Sequence, residues 1–304
     1  MLKSIQTALQ QKLSKDSVQA VFYLLPATAI LLVFSYYPLI SILNLSLYKW
    51  ENLSPEKTFI GFQNYLNLFS NERFWNSLNV TFTYTSVVTI VSIAAGLLLA
   101  VALNNRYLIL KSFWRSLYFL PSVTPTVAAA MVWILLFNPS IGYVNKFLDI
   151  FHIQGINWLA DSTWALPTVM LLGIWRRAGF NLIIYLAALQ AIPNEYYESA
   201  MVDGANPFRR FIHLTVPLLK PTTIMLVILG IIDSFLIFDQ IMVLTRGGPL
   251  NATEVIGWYM YNNAFTFLKM GYGSAISVVI FIIIAVLTLL QWRFVGFGSM
   301  EDAE

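Results

Sequence analysis

The chain runs to 304 residues, of which 58% are hydrophobic, 15% aromatic and 11% charged. Soluble proteins carry about 25% charged residues, so most of this chain suits a solvent other than water, which excludes a cytosolic enzyme, a nucleic-acid-binding domain and a disordered tail. The net charge of +3 comes from 18 Lys and Arg that form no basic patch, and the absence of cysteine removes disulfides and thiolate sites from consideration.

A membrane-spanning helix needs about 20 largely apolar residues. In chain order, residues 17–48, 74–105 and 116–145 are free of charge. Residues 164–192 would be a further span but for Arg176 and Arg177, and residues 217–244 another but for Asp233 and Asp239. Residues 270–292 close the series without a charge. The pattern predicts an all-α integral membrane protein of six spans, four clean and two interrupted. The first apolar run is too long for the h-region of a cleaved signal, and its Pro26 and Pro38 are tolerable where neighbouring groups re-satisfy the freed carbonyls.

Six spans place both termini on one side. Lys3, Lys12, Lys15, Arg106, Lys111, Arg115, Arg209, Arg210, Lys220 and Arg293 fall on that side, against Lys49, Lys57, Arg73, Lys146, Arg246 and Lys269 on the other, where acids such as Glu51, Glu72 and Glu254 dilute them. The bias makes the termini cytoplasmic. The expected layout is a tail over 1–16, a six-helix domain over 17–293 and a second tail over 294–304.

The cytoplasmic connection between the fourth and fifth spans carries two helix signals. Residues 195–202 contain neither Gly nor Pro, have acids in their opening turns, and end at Asp203-Gly204. Asn206-Pro207 is an N-cap followed by Pro at the first helical position, which predicts a second short helix over 208–213. Two such helices make an elbow, with Tyr197, Met201, Phe208 and Phe211 apolar and Arg209 and Arg210 charged. Gly204 is expected at positive φ. The elbow suits either a protein docking from the cytoplasm or an anionic lipid surface.

The spacing Glu198-Ser199-Ala200, Gly204, then Leu214, Val216 and Pro217 resembles the EAA loop of permease subunits in binding-protein-dependent ABC importers, with Ser199, Leu214 and Val216 as size-conservative departures. Residues 59–65, Leu120-Pro121, Phe137-Asn138-Pro139, 187–193 and Leu244-Thr245-Arg246-Gly247-Gly248-Pro249 are similar to blocks of the carbohydrate-uptake branch of that family, in particular its first permease. The resemblance implies a type I importer permease whose coupling loop, 194–216, meets the ATPase through Glu198, Ser199, Ala200, Asp203, Gly204, Pro207, Phe208, Arg209 and the following Pro217. It further implies a second, homologous permease, two ATP-binding subunits that hold ATP and Mg, an extracytoplasmic solute-binding protein, and a bacterial inner membrane. This chain has no Gly-x-x-x-x-Gly-Lys-Ser/Thr sequence, so it is expected to be non-catalytic and without a cofactor of its own.

Arg176 and Arg177 lie about eleven residues into their span, roughly 17 Å deep. Charge at that depth faces protein or water. One reading is an ion pair, Arg176 with Asp233, that pins two spans together; the other is a polar solute path. The resemblance assigns that path to Ser122, Thr126, Arg176, Arg177, Phe180, Asp233, Ser234 and Ile237. A sugar, oligosaccharide or polyol is expected, because Asp233 repels an anion and Phe180 offers a stacking face. An ion-coupled secondary transporter and a carrier of glycerol phosphate or another phosphorylated polyol are the alternatives. Ser274 falls near the outer end of the sixth span and His213 in the cytoplasmic loop, about 30 Å of hydrocarbon apart, so they form no catalytic pair, and the extracytoplasmic His152 has no ligand-type neighbours for a metal.

Overall fold

The structure, a computed structural model, describes residues 15–52, 54–105 and 107–295. The tails expected over 1–16 and 294–304 fall almost wholly outside the described residues, as does Arg106. Four helices are long and apolar enough to cross a membrane, and two bent helix pairs raise the number to as many as six.

The first span, Ala20–Leu45, joins α1 (Lys15–Leu31) to α2 (Tyr37–Leu45) through one π turn, Leu32–Tyr36. Proline causes the turn. Pro38 has no N–H and its ring crowds the carbonyl four residues back, and the ladder adjusts one residue upstream, where Tyr37 N–H donates to Leu32 O. The same device recurs at Pro217, which follows the π turn Phe211–Thr215.

A two-residue hairpin follows, β1 (Tyr48–Lys49) antiparallel to β2 (Thr58–Phe59), and then α3 (Gln63–Phe69). Asn64 explains the local sequence: its buried amide donates to Ser46 O at 2.8 Å and Tyr48 O at 3.0 Å, while Tyr65 Oη donates to Ser46 Oγ at 2.7 Å. These bonds fasten the end of the first span to α3, the short helix ahead of the second.

The second span is α4 (Glu72–Asn104), 33 residues capped by Asn71, whose side chain accepts from Arg73 N–H. Its buried face mixes large residues, Phe74, Val80, Tyr84, Val88 and Leu103, with small and hydroxylated ones, Ser77, Thr81, Thr85, Ser92, Gly96 and Ala100, whereas Ile90 and Leu98 point outward. In a bilayer the small residues let neighbouring helices approach closely. Helix α8 (Ala165–Ala191) lies against it, with Gly96 meeting Asn181 and Gly173 meeting the Tyr84 hydroxyl.

The third span departs from expectation. Residues 116–145 are not one clean helix, because α5 (Lys111–Val123) and α6 (Thr126–Leu136) meet at 98°. The break is chemical. Pro125 drives the preceding residue out of the helical region, and Thr124 is extended at φ −71° and ψ 132°. The span with both arginines, by contrast, runs unbroken for 27 residues. Helix α7 (Tyr143–Ile150) lies between α6 and α8.

Beyond α8 come α9 (Asn194–Val202), α10 (Pro207–Arg210), α11 (Val216–Leu218) and α12 (Lys220–Phe235), with a 64° bend between Pro207–Leu218 and α12. The expected span 217–244 also divides, since the helix stops at Phe235 and restarts as α13 (Asp239–Leu244), which packs on α6. Helix α14 (Ile256–Tyr261), a π turn Asn262–Thr266 and α15 (Met270–Val295) complete the chain.

Between α13 and α14, Glu254 is fully buried and receives Arg73 in a bidentate pair, Nε to Oε2 at 2.6 Å and Nη2 to Oε1 at 2.7 Å. Asn76 donates to Asn251 O at 3.1 Å beside it. The start of α4 is thereby strapped to residues 251–254, which follow the Gly247-Gly248-Pro249 turn.

Candidate solute cavity and elbow

A cavity of about 580 Å³ opens among α4, α5, α6, α8, α12 and α13. Gly173, Arg176, Arg177 and Phe180 reach it together because spacings of three and four residues share one helix face. The bend at Thr124-Pro125 brings in Phe119, Ser122, Val123 and Thr126, and the stop after Phe235 turns Asp233, Ser234, Leu236 and Ile237 toward the same space. Tyr84 and Val88 line it from α4, and Asp239 and Gln240 from α13. All eight residues expected on the path line this one cavity.

Within it, Arg177 Nη1 donates to Asp233 Oδ2. The partner of Asp233 is therefore Arg177 and not Arg176, as adjacent helical residues point about 100° apart. Arg176 Nη2 reaches only Thr124 O, at 3.5 Å. The Nε of both arginines and Nη2 of Arg177 are buried with no acceptor, and so is Gln240 Oε1 with no donor. Gln240 Nε2 donates to the Tyr84 hydroxyl.

Half of this lining was not singled out from the sequence: Tyr84, Val88, Phe119, Val123, Gly173, Leu236, Asp239 and Gln240. Two had a signal. Asp239 interrupts an apolar run, and Gly173 sits three residues before Arg176 on the same face.

The elbow forms as its caps predict. Helix α9 ends in a Schellman motif, with Ala205 N–H donating to Ala200 O at 2.9 Å, Gly204 N–H to Met201 O at 3.1 Å, and Gly204 at φ +75°. Asn206 Oδ1 then accepts from Arg209 N–H at 2.8 Å and starts α10 at Pro207. The second arm differs from the expected helix 208–213 in converting to the π turn after Arg210. Tyr197 Oη and Thr215 Oγ1, 3.1 Å apart, close the base of the elbow. Glu198, Ser199, Asp203, Gly204, Pro207, Phe208 and Arg209 are exposed along it, Ala200 is half-buried, and Pro217 is exposed in α11. Val202 and Phe208 are 88% and 69% exposed, an apolar tip facing away from the fold. Among the described residues no His, Asp and Glu cluster could hold a metal.

Residues 92–295 match the family model described as the binding-protein-dependent transport system inner membrane component. The probable ABC transporter permease protein YurN of Bacillus subtilis is 34% identical over 291 residues, 95% of this chain and 99% of its own. The trehalose/maltose transport system permease protein MalF of Thermococcus litoralis is 36% identical over 270 residues, 89% of this chain and 91% of its own. A chain of the bacterial alginate ABC transporter, solved in complex with its alginate pentasaccharide-bound periplasmic protein, superposes with a TM-score of 0.81 at 25% identity, covering 92% of this chain and 94% of that one. With the family model covering most of its length and full-length permeases aligning end to end, the chain belongs to the inner membrane components of binding-protein-dependent transport systems, the permease subunits of ABC importers.

Proposed function

We propose that the cavity is this subunit's share of the path for a sugar, oligosaccharide or polyol, and that the elbow over 194–216 is where an ATP-hydrolysing subunit docks. The observation that carries the reading is the convergence of Ser122, Thr126, Arg176, Arg177, Phe180, Asp233, Ser234 and Ile237 on one space. Paired donors and acceptors suit vicinal hydroxyls, Phe180 gives a ring a surface to lie against, and the relatives named above are called trehalose/maltose and alginate transporters.

In this reading the permease works beside a second, homologous permease in a bacterial inner membrane with both termini cytoplasmic. An extracytoplasmic solute-binding protein delivers the solute, and two partner subunits bind ATP and Mg. This chain contributes binding and motion, with no covalent chemistry. The exposed elbow tip at Val202 and Phe208 favours a protein partner over solvent, and an ion-coupled transporter has no use for it.

The test is uptake by the assembled complex in proteoliposomes, with the native binding protein present. Arg177→Leu, Asp233→Leu and the double variant are compared at equal amounts of complex. Loss of uptake in all three is expected. Recovery in the double variant would reduce the pair to a pin between α8 and α12 and overturn the path.

A further inference from the structure

We infer that Asp239 sets the charge of the accepted solute and reserves the cavity for an uncharged polyhydroxylated molecule. The inference rests on the cavity being the solute path. Among the sixteen lining residues the charged side chains are two guanidinium groups, Arg176 and Arg177, and two carboxylates, Asp233 and Asp239, so the wall is neutral as a whole. Asp233 is committed to Arg177. The remaining cation and anion line the same cavity without forming an ion pair.

The hydrogen-bonding inventory points the same way. Arg176 Nη2 has only a long contact, 3.5 Å, with Thr124 O, and Asp239 Oδ1 takes the backbone N–H of Gln240 at 3.0 Å. A hydroxyl both donates and accepts, so a polyol can meet the guanidinium of Arg176 with its lone pairs and the carboxylate of Asp239 with its protons. A carboxylate or phosphate brings only acceptors. It meets Arg176 and sets its own charge against Asp239 in a space where water screens poorly. Asp239 is thus the difference between a cavity for neutral solutes and one with a surplus positive charge.

Asp239→Asn keeps the shape and the bond to Gln240 N–H while removing the charge. The purified complex, without its binding protein, is equilibrated with radiolabelled maltotriose as the neutral probe or trigalacturonate as the acidic one. The wild type is expected to bind maltotriose at least tenfold more tightly. Asp239→Asn should cut that ratio at least tenfold, chiefly by tighter trigalacturonate binding, and Asp239→Glu should restore the neutral preference. Asp239→Ser repeats the charge removal should the Asn variant fail to assemble. A wild-type preference for the acidic probe, or a ratio unmoved by either charge-removing variant, overturns the role of Asp239 while leaving the cavity as the path. Binding of neither probe by the wild type would refute the path assignment itself and this inference with it.

Discussion

Arg177 and Asp233 share one ion pair but not one environment: the arginine side chain is 10% exposed and the aspartate 67%. Removing one partner of a buried pair costs about 3–5 kcal/mol when it strands the other charge away from water, whereas an exposed pair is worth about 1 kcal/mol or less. The two truncations should therefore differ. Asp233→Leu, which strands a covered guanidinium, is expected to lower the thermal midpoint of the solubilised complex by more than Arg177→Leu, which leaves a carboxylate that water can reach. Equal losses, or the reverse order, would contradict the asymmetry.

The strap between Arg73 and Glu254 makes a harsher case, since Glu254 is fully buried. Arg73→Leu is expected to destabilise the N-terminal end of α4 by about 3–5 kcal/mol. Glu254→Gln keeps one acceptor and should cost less. Limited proteolysis within residues 246–255 reads the difference: cleavage should accelerate in Arg73→Leu far more than in Glu254→Gln.

At the elbow, Gly204 has no heavy atom within 4 Å of where a Cβ would stand, so a substitution there meets strain and no clash. The left-handed conformation costs an ordinary residue about 1–2 kcal/mol, and Asn bears it best. Gly204→Val should insert normally yet lose ATPase association or solute-stimulated hydrolysis, and Gly204→Asn should stay close to wild type. Normal transport by the Val variant would favour an elbow that rests on lipid.

Gly173 permits the Tyr84 hydroxyl to approach α8, and a methyl group there would collide with it. Gly173→Ala should reduce uptake through overpacking worth about 1–3 kcal/mol. Adding Tyr84→Phe removes the colliding oxygen and should recover part of the loss. No recovery would mean that the collision lies with Val88 instead.

The spans were legible because hydropathy over some twenty residues reports burial in lipid whatever the helix packs against. The elbow was legible because caps are local chemistry: Asn206-Pro207 and Gly204 act within one turn. Breaks inside apolar runs were not. Pro26 is carried within α1 and Pro125 divides α5 from α6, and composition does not separate the two. The choice of Arg177 over Arg176 for Asp233 depends on the phase between two packed helices, which neither helix encodes alone. Glu254 counted in the sequence only as an acid offsetting nearby Lys and Arg, and its partner lies 181 residues away.

The contacts along α4 bear on how such a molecule can move. Gly96 and Tyr84 seat α8, and Thr89 seats α12 at Gly230, where an added methyl carbon would stand 2.7 Å from the threonine methyl. Helices meshed this tightly at several heights behave as a single casting: sliding one past another would require carbon atoms to pass through each other. With α4, α8 and α12 meshed in this way, a pull at the elbow, continuous with both α8 and α12, is expected to tilt these three helices together. A change of access to the cavity is then expected to carry α4, α8 and α12 along as one piece.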